Sequence, residues 1–206
     1  MITFMSEIIC ITNRNLCETD FLTQLEKIAS AKPDRIILRE KDLSADKYCI
    51  IAEKALEICR KYKVKYTLHT FTNVAVNLGA DSIHLPLHVL REMSENDKKH
   101  FREIGASCHS VEDTVEAVNF GASYITAGHV FATDCKKGLT PRGLDFLRAV
   151  TESVSVPVYA IGGISAENFA EVIAAGADGA CIMSAFMRSE NPQKLIESLR
   201  GETNAE

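Results

Sequence analysis

Three copies of one short junction constrain this chain more than any other feature. Leu78-Gly79-Ala80-Asp81, Phe120-Gly121-Ala122-Ser123 and Ala175-Gly176-Ala177-Asp178 each place a glycine where a helical pattern ends and a strand-like run begins. Glycine adopts the left-handed backbone that closes a helix without a steric cost, so the three copies mark one kind of junction. A chain that repeats a helix-to-strand junction is assembled from βα units, and such units build parallel sheets covered by helices.

The remaining sequence supplies enough units for a closed sheet. Apolar runs predict strands over 7–12, 35–39, 65–69, 81–85 (stopped by Pro86), 104–107, 124–127, 156–161 and 179–183. Helical patterns lie between them. Asp20 precedes Phe21, Leu22, Leu25 and Ile28, and Ser44 opens a helix carrying Ile51, Ala55 and Ile58. Further helices are expected over 73–78 and 89–100, after Ser110 with Asp113 completing a capping box, after Pro141, from an N-cap at Ser165 to Gly176, and from Asn191-Pro192. Eight strand–helix pairs in 206 residues fit an α/β fold of one kind, a single compact (β/α)8 TIM barrel over 1–206, better than an open doubly wound sheet.

Composition narrows the setting. With 46% hydrophobic residues the chain can bury a full core as one domain. The start, Met1-Ile2-Thr3-Phe4-Met5-Ser6-Glu7, lacks a basic segment and a long apolar one, so a cytoplasmic protein with no membrane association is expected. Seven scattered cysteines without a C-x-x-C pair read as buried thiols in a reducing compartment, and no structural metal is expected. A formal charge of −5 without a basic stripe argues against nucleic acid as a partner.

A barrel gathers the ends of its strands at one mouth, where the chemistry-bearing loops then meet. The richest is 127–143, which places His129, Thr133, Cys135, Lys136 and Lys137 after the sixth strand. An imidazole there can move a proton near neutral pH, so His129 is the candidate acid/base. Gly162 and Gly163 after strand seven, with Met183 and Ser184 after strand eight, read as a phosphate site in which backbone approaches the anion closely. Thr133 and Lys136 would add contacts to that anion, Arg39 and Lys41 at the end of strand two bring further charge, and Ser107 at the end of strand five joins the substrate-binding set. His69 and His84 read equally as packed or functional. His88, His100 and His109 receive no role, and neither Cys108 nor Cys135 has a partner that would activate a thiol.

Over nearly all its length the chain resembles the thiamin phosphate synthase superfamily of phosphate-binding barrels. Leu38-Arg39-Glu40-Lys41, Gly79-Ala80-Asp81-Ser82-Ile83-His84-Leu85, the Gly162-Gly163 turn and Gly176-Ala177-Asp178-Gly179 leading to Met183-Ser184-Ala185 carry the resemblance. Within it, Gly128-His129-Val130-Phe131-Ala132-Thr133-Asp134-Cys135-Lys136-Lys137-Gly138 looks like the thiazole tautomerase (TenI-type) branch, since the synthase branch usually has proline where His129 stands. The resemblance implies a small-molecule thiazole phosphate as substrate, an isomerase with no metal or cofactor, and a homo-oligomer. The synthase pattern binds magnesium pyrophosphate through an Asn-Asp pair after strand three and an Asp after strand four. The matching positions here are His69-Thr70 and Val89, which are poor ligands for a hard cation. Two alternatives stay open: the synthase, a transferase joining a pyrimidine pyrophosphate to the thiazole phosphate, and a non-catalytic regulatory homologue.

Overall fold

The computed structural model describes residues 6–136 and 138–201. Eight parallel strands close on themselves in chain order: β1 Glu7–Ile11, β2 Arg35–Leu38, β3 Lys65–His69, β4 Ser82–Pro86, β5 Glu103–Cys108, β6 Tyr124–Gly128, β7 Val158–Ile161 and β8 Gly179–Ile182. Pairing of β1 with β8, Glu7 beside Gly179 and Cys10 beside Ile182, seals the (β/α)8 TIM barrel. Helices α1 Phe21–Ser30, α2 Ala45–Tyr62, α3 Thr72–Asn77, α4 Leu87–Glu92, α5 Glu95–Lys98, α6 Val111–Asn119, α7 Gly143–Ser153, α8 Phe169–Ala174, α9 Ser184–Arg188 and α10 Pro192–Arg200 surround it. None among the described residues is long and apolar enough to cross a membrane.

Strands buried on both faces use both sets of alternate residues. On β1, Ile8 and Cys10 pack outward with Leu25 and Ile28 of α1, while Ile9 and Ile11 belong to a separate apolar cluster with Ile37, Tyr124, Tyr159 and Cys181. That inner cluster fills one side of the barrel. The other side is polar: Arg35, Thr67, Ser82, His69, His84 and Thr126 are all buried there. The i, i+2 step of a strand leads from Arg35 by way of Ile37 to Arg39, from Thr67 to His69 and from Ser82 to His84, so each strand carries polar groups from the closed end toward the mouth.

Local signals account for most helix boundaries. Asp20 accepts from the Thr23 N–H (3.0 Å), Asn191 from that of Lys194 (3.1 Å), and Pro192 occupies the first turn of α10. The repeated glycines have the left-handed backbone that the junction predicts, with φ of 62° at Gly79 and 94° at Gly121 and Gly176. Three expectations are corrected. The helix expected over 89–100 starts earlier and is cut in two, because Ser94 takes an extended backbone and caps a new turn by accepting from the Asp97 N–H (3.1 Å). Ser165 does not cap α8; its N–H donates to Asn168 Oδ1 (2.9 Å), and the helix begins at Phe169. β7 begins at Val158 instead of Val156, beyond the residue whose nitrogen lacks a proton, Pro157.

Candidate active site

At the C-terminal mouth of the barrel lies a cavity of about 530 Å³. All of the residues singled out as site candidates line it: His129, Arg39, Lys41, Ser107, Thr133, Lys136, Gly162, Gly163, Met183 and Ser184. Lys137 and the side chain of Cys135 lie outside the described residues. The cavity also takes in His69, His84, His88, Arg91, His109 and Asp113.

The Arg39-Glu40-Lys41 segment is not a surface charge cluster. Its middle residue turns inward: Glu40 is 2% exposed and accepts hydrogen bonds from Thr12 Oγ1 (2.7 Å) and from the Arg14 N–H (3.0 Å to Oε2). Thr12 Oγ1 in turn accepts from the Arg39 N–H (2.9 Å), and the Arg14 guanidinium joins Glu40 (3.1 Å) to Asp42 (2.6 Å). The buried carboxylate therefore ties the turn after β2 to the end of β1, and the flanking Arg39 and Lys41 are left at the mouth. Lys41 is exposed at the rim, yet partial desolvation, then Arg39 and Lys136, push its ammonium below the ordinary lysine value. Mutual repulsion of this kind shows that three cations converge on one region, which suits an anion.

His129 follows β6 and is 8% exposed. The loop carrying it is fastened to the turn after β7: the Val130 N–H donates to the Ile161 carbonyl (2.9 Å) and the Phe131 N–H to that of Gly162 (3.0 Å). Gly162 and Gly163 have φ of +103° and +66°, and a Cβ at 162 would collide with the Cβ of His129, at 163 with the Ala132 carbonyl. The glycine pair thus has a packing role independent of any anion: it brings two loop backbones together and sets His129 against the cavity. The imidazole Nε2 lies 3.4 Å from the Leu139 carbonyl, a long contact that favours the Nε2–H tautomer. After β8, the first α-helical bond of α9 runs from the Met187 N–H to Met183 (3.1 Å), so the amides of Ser184 and Ala185 precede its ladder.

Two buried histidines form the floor. His69 and His84 stack with ring centroids 5.4 Å apart. Burial, then the neighbouring His84, Arg39 and Lys41, holds His69 well below the usual histidine value; burial, then Arg35, Arg39 and Lys41, pushes His84 down to about 3. Both are neutral at pH 7. Thr70 Oγ1 lies 2.6 Å from His69 Nδ1, and Thr70 has φ of 69°, an unusual backbone for a β-branched residue.

Sequence reasoning passed over His109 and His88, which the fold brings to the cavity. His109 Nδ1 lies 2.8 Å from the Gly128 carbonyl, which must accept, so Nδ1 carries the proton and Nε2 keeps a lone pair. Its backbone N–H donates to Asp113 Oδ2 (3.0 Å). The expected capping box is therefore only half formed: Ser110 accepts from the Asp113 N–H (3.0 Å), and the Asp side chain holds residue 109. His109 follows the last residue of β5 and stands two positions after Ser107, a spacing that was a readable signal for a shared face.

The donor set at the ends of β3 and β4 does not fit a magnesium ion. The Thr70 hydroxyl is engaged with His69, the two imidazoles are nitrogen donors, and Val89 is packed against the apolar core. Asp113 is the single carboxylate lining the cavity among the described residues, and no group of three or more His, Cys, Asp or Glu there could hold a metal.

The model of the family described as thiamine monophosphate synthase matches residues 8–186. A thiamine-phosphate synthase of Alkaliphilus oremlandii is 33% identical over 186 residues, covering 88% of this chain and 87% of the relative. That of Pyrococcus abyssi is 35% identical over 170 residues, 80% of each chain. Among solved structures, a thiamine phosphate pyrophosphorylase from Pyrococcus furiosus superposes with a TM-score of 0.80 at 30% identity, over 96% of this chain and 95% of its own.

Proposed function

The chain belongs to the thiamine monophosphate synthase family, and within that family we propose that its cavity carries out a metal-independent proton transfer, the aromatisation of a carboxythiazole phosphate. The substrate is the exocyclic-alkene tautomer of 2-carboxy-4-methylthiazole ethyl phosphate. The ring C2 proton leaves, the double bonds shift into the ring, and the exocyclic carbon gains a proton, so atoms balance without a co-reactant.

The observation that carries this reading is the donor set of the mouth. It is rich in cations and imidazoles and poor in carboxylates, which suits a phosphate ester and an acid/base, not a magnesium pyrophosphate. Gly162, Gly163, Met183 and Ser184 would hold the phosphate mainly by backbone groups. Thr133, Lys136, Arg39 and Lys41 would neutralise phosphate and carboxylate, with Ser107 against the ring. His129 would take the C2 proton, return one to the exocyclic carbon, or do both. A positioned acid/base is worth about 100- to 10,000-fold in such a step.

The second reading is the synthase, favoured by the similarity to thiamine-phosphate synthases at 33% and 35% identity. One experiment separates the two. Purified protein with no added metal is given the exocyclic-alkene substrate and followed by the absorbance of the aromatic ring, beside a parallel reaction with hydroxymethylpyrimidine pyrophosphate, thiazole phosphate and magnesium. Fast aromatisation that His129→Ala abolishes supports the tautomerase. Magnesium-dependent thiamin phosphate without aromatisation replaces it with the synthase.

A further inference from the structure

Beneath Ser107 a line of buried polar groups runs down the barrel interior and ends on a cation. Ser107 Oγ lies 2.9 Å from His84 Nε2, and His84 Nδ1 lies 3.2 Å from the Tyr124 hydroxyl. The Arg35 guanidinium sits over the Tyr124 ring, 4.5 Å from its centroid, and is itself anchored by Glu103 (2.8 Å). Gly105 of β5 makes room for the phenol: a Cβ there would overlap Tyr124 Cζ and Oη. None of these contacts is needed merely to close a barrel, whose interior positions are usually filled by branched apolar side chains.

The line has a direction. A neutral imidazole has one donor and one acceptor nitrogen, so His84 must either pass hydrogen bonds from Tyr124 toward Ser107 or the reverse. Arg35 carries only donors and a positive charge and offers the phenol no acceptor, so the Tyr124 proton is directed to the acceptor its hydroxyl does meet, His84 Nδ1. His84 Nε2–H then donates to Ser107 Oγ. Thr126 Oγ1 lies 3.3 Å from His84 Nε2 and 3.4 Å from Ser107 Oγ; with Nε2 carrying the proton it has no acceptor on the imidazole, so its own proton goes to Ser107 Oγ. With both lone pairs of Ser107 engaged, only its O–H is left for the cavity.

We propose that Arg35, Tyr124 and His84 form a one-way hydrogen-bond chain that fixes Ser107 as a donor, so that the ligand atom it meets is an acceptor such as a carboxylate oxygen or an unprotonated ring nitrogen. Tyr124 and His84 are positioning residues acting through Ser107. The inference rests on the cavity being the ligand site and not on which of the two reactions proceeds there.

The test reads the imidazole directly. Long-range proton–nitrogen correlation spectra of ligand-free wild-type protein at pH 7 should show His84 as the Nε2–H tautomer, with Nδ1 bearing the lone pair. A Nδ1–H tautomer, or an imidazolium, overturns the proposal, and this outcome needs neither substrate nor variant. Tyr124→Phe removes the donor to Nδ1 while keeping the ring over Gly105, and His84 should then populate both tautomers. An unchanged pure Nε2–H signal in a folded variant, checked by its thermal midpoint, would mean Tyr124 does not set the direction. Ser107→Ala should weaken binding of the aromatic carboxythiazole phosphate about tenfold, the loss of one hydrogen bond to a charged group; unchanged affinity counts against the donor role.

Discussion

The two ends of the barrel interior handle positive charge in opposite ways. At the closed end, Arg35 is 2% exposed and shares Glu103 with Lys65, at 2.8 Å in each case, while Thr67 accepts from its second nitrogen at 3.2 Å. At the open end, Arg39, Lys41 and Lys136 face one another across a cavity that a single carboxylate among the described residues, Asp113, lines, and that carboxylate is occupied by the His109 N–H. A buried cation needs a partner or it costs several kcal/mol, so the closed end is neutralised from within. Cations at a solvated rim are screened by water and need less neutralisation from within, and their fields add in the cavity where an anion would enter. The difference separates the part of the interior that supports the fold from the part equipped to bind.

That comparison breaks most sharply at His129. His129→Ala should slow the proposed aromatisation about 100- to 10,000-fold at nearly unchanged stability, read by absorbance of the product and by urea unfolding. Next comes acidity. His69 and His84 have folded values below their unfolded ones, so the unfolded chain binds more protons below about pH 6.5 and stability falls as pH drops from there. Urea unfolding should record a loss of about 2 kcal/mol from His84 alone between about pH 6.5 and 4.5, with His69 adding in the same direction, and His84→Gln should remove its share of that limb.

Glu103→Gln tests the closed end alone. Burial pushes this carboxyl up, but Lys65 and Arg35 outweigh that and hold it below its ordinary value. Its contribution is therefore full above about pH 4.3, the unfolded value, and is lost as pH falls from there through the lower folded value. With its side chain 26% exposed, neutralising it should cost about 2 kcal/mol by urea unfolding and leave ligand affinity within about twofold. The smallest effect belongs to the open rim. Lys41→Ala should weaken the aromatic phosphate about tenfold by calorimetry, less so in high salt, with stability unchanged within about 0.5 kcal/mol.

Much of this architecture is legible in the sequence. The glycine junctions are local, because only a residue without Cβ enters left-handed backbone freely, and Gly79, Gly121 and Gly176 adopt it. The strands were legible from doubly apolar runs, and the mouth followed once strand order was fixed, since every strand end in a closed parallel barrel opens on the same rim. What local pattern could not reveal is pairing across the interior. Glu40 looks like a surface charge until Thr12 and Arg14, some 26 to 28 residues earlier, are seen to bind it.

Sequence by itself determined the repeated βα unit, the caps of α1 and α10, and the chemical types gathered after β6, β7 and β8, because these depend on neighbours a few residues away. Tertiary structure alone decided that Gly162 is required by His129, that His109 reaches the cavity, and that Tyr124, His84 and Ser107 stand in one line over Arg35. Each of these depends on the closing of the barrel, which brings side chains 20 to 160 residues apart within a few ångströms and sets their protonation by shared burial.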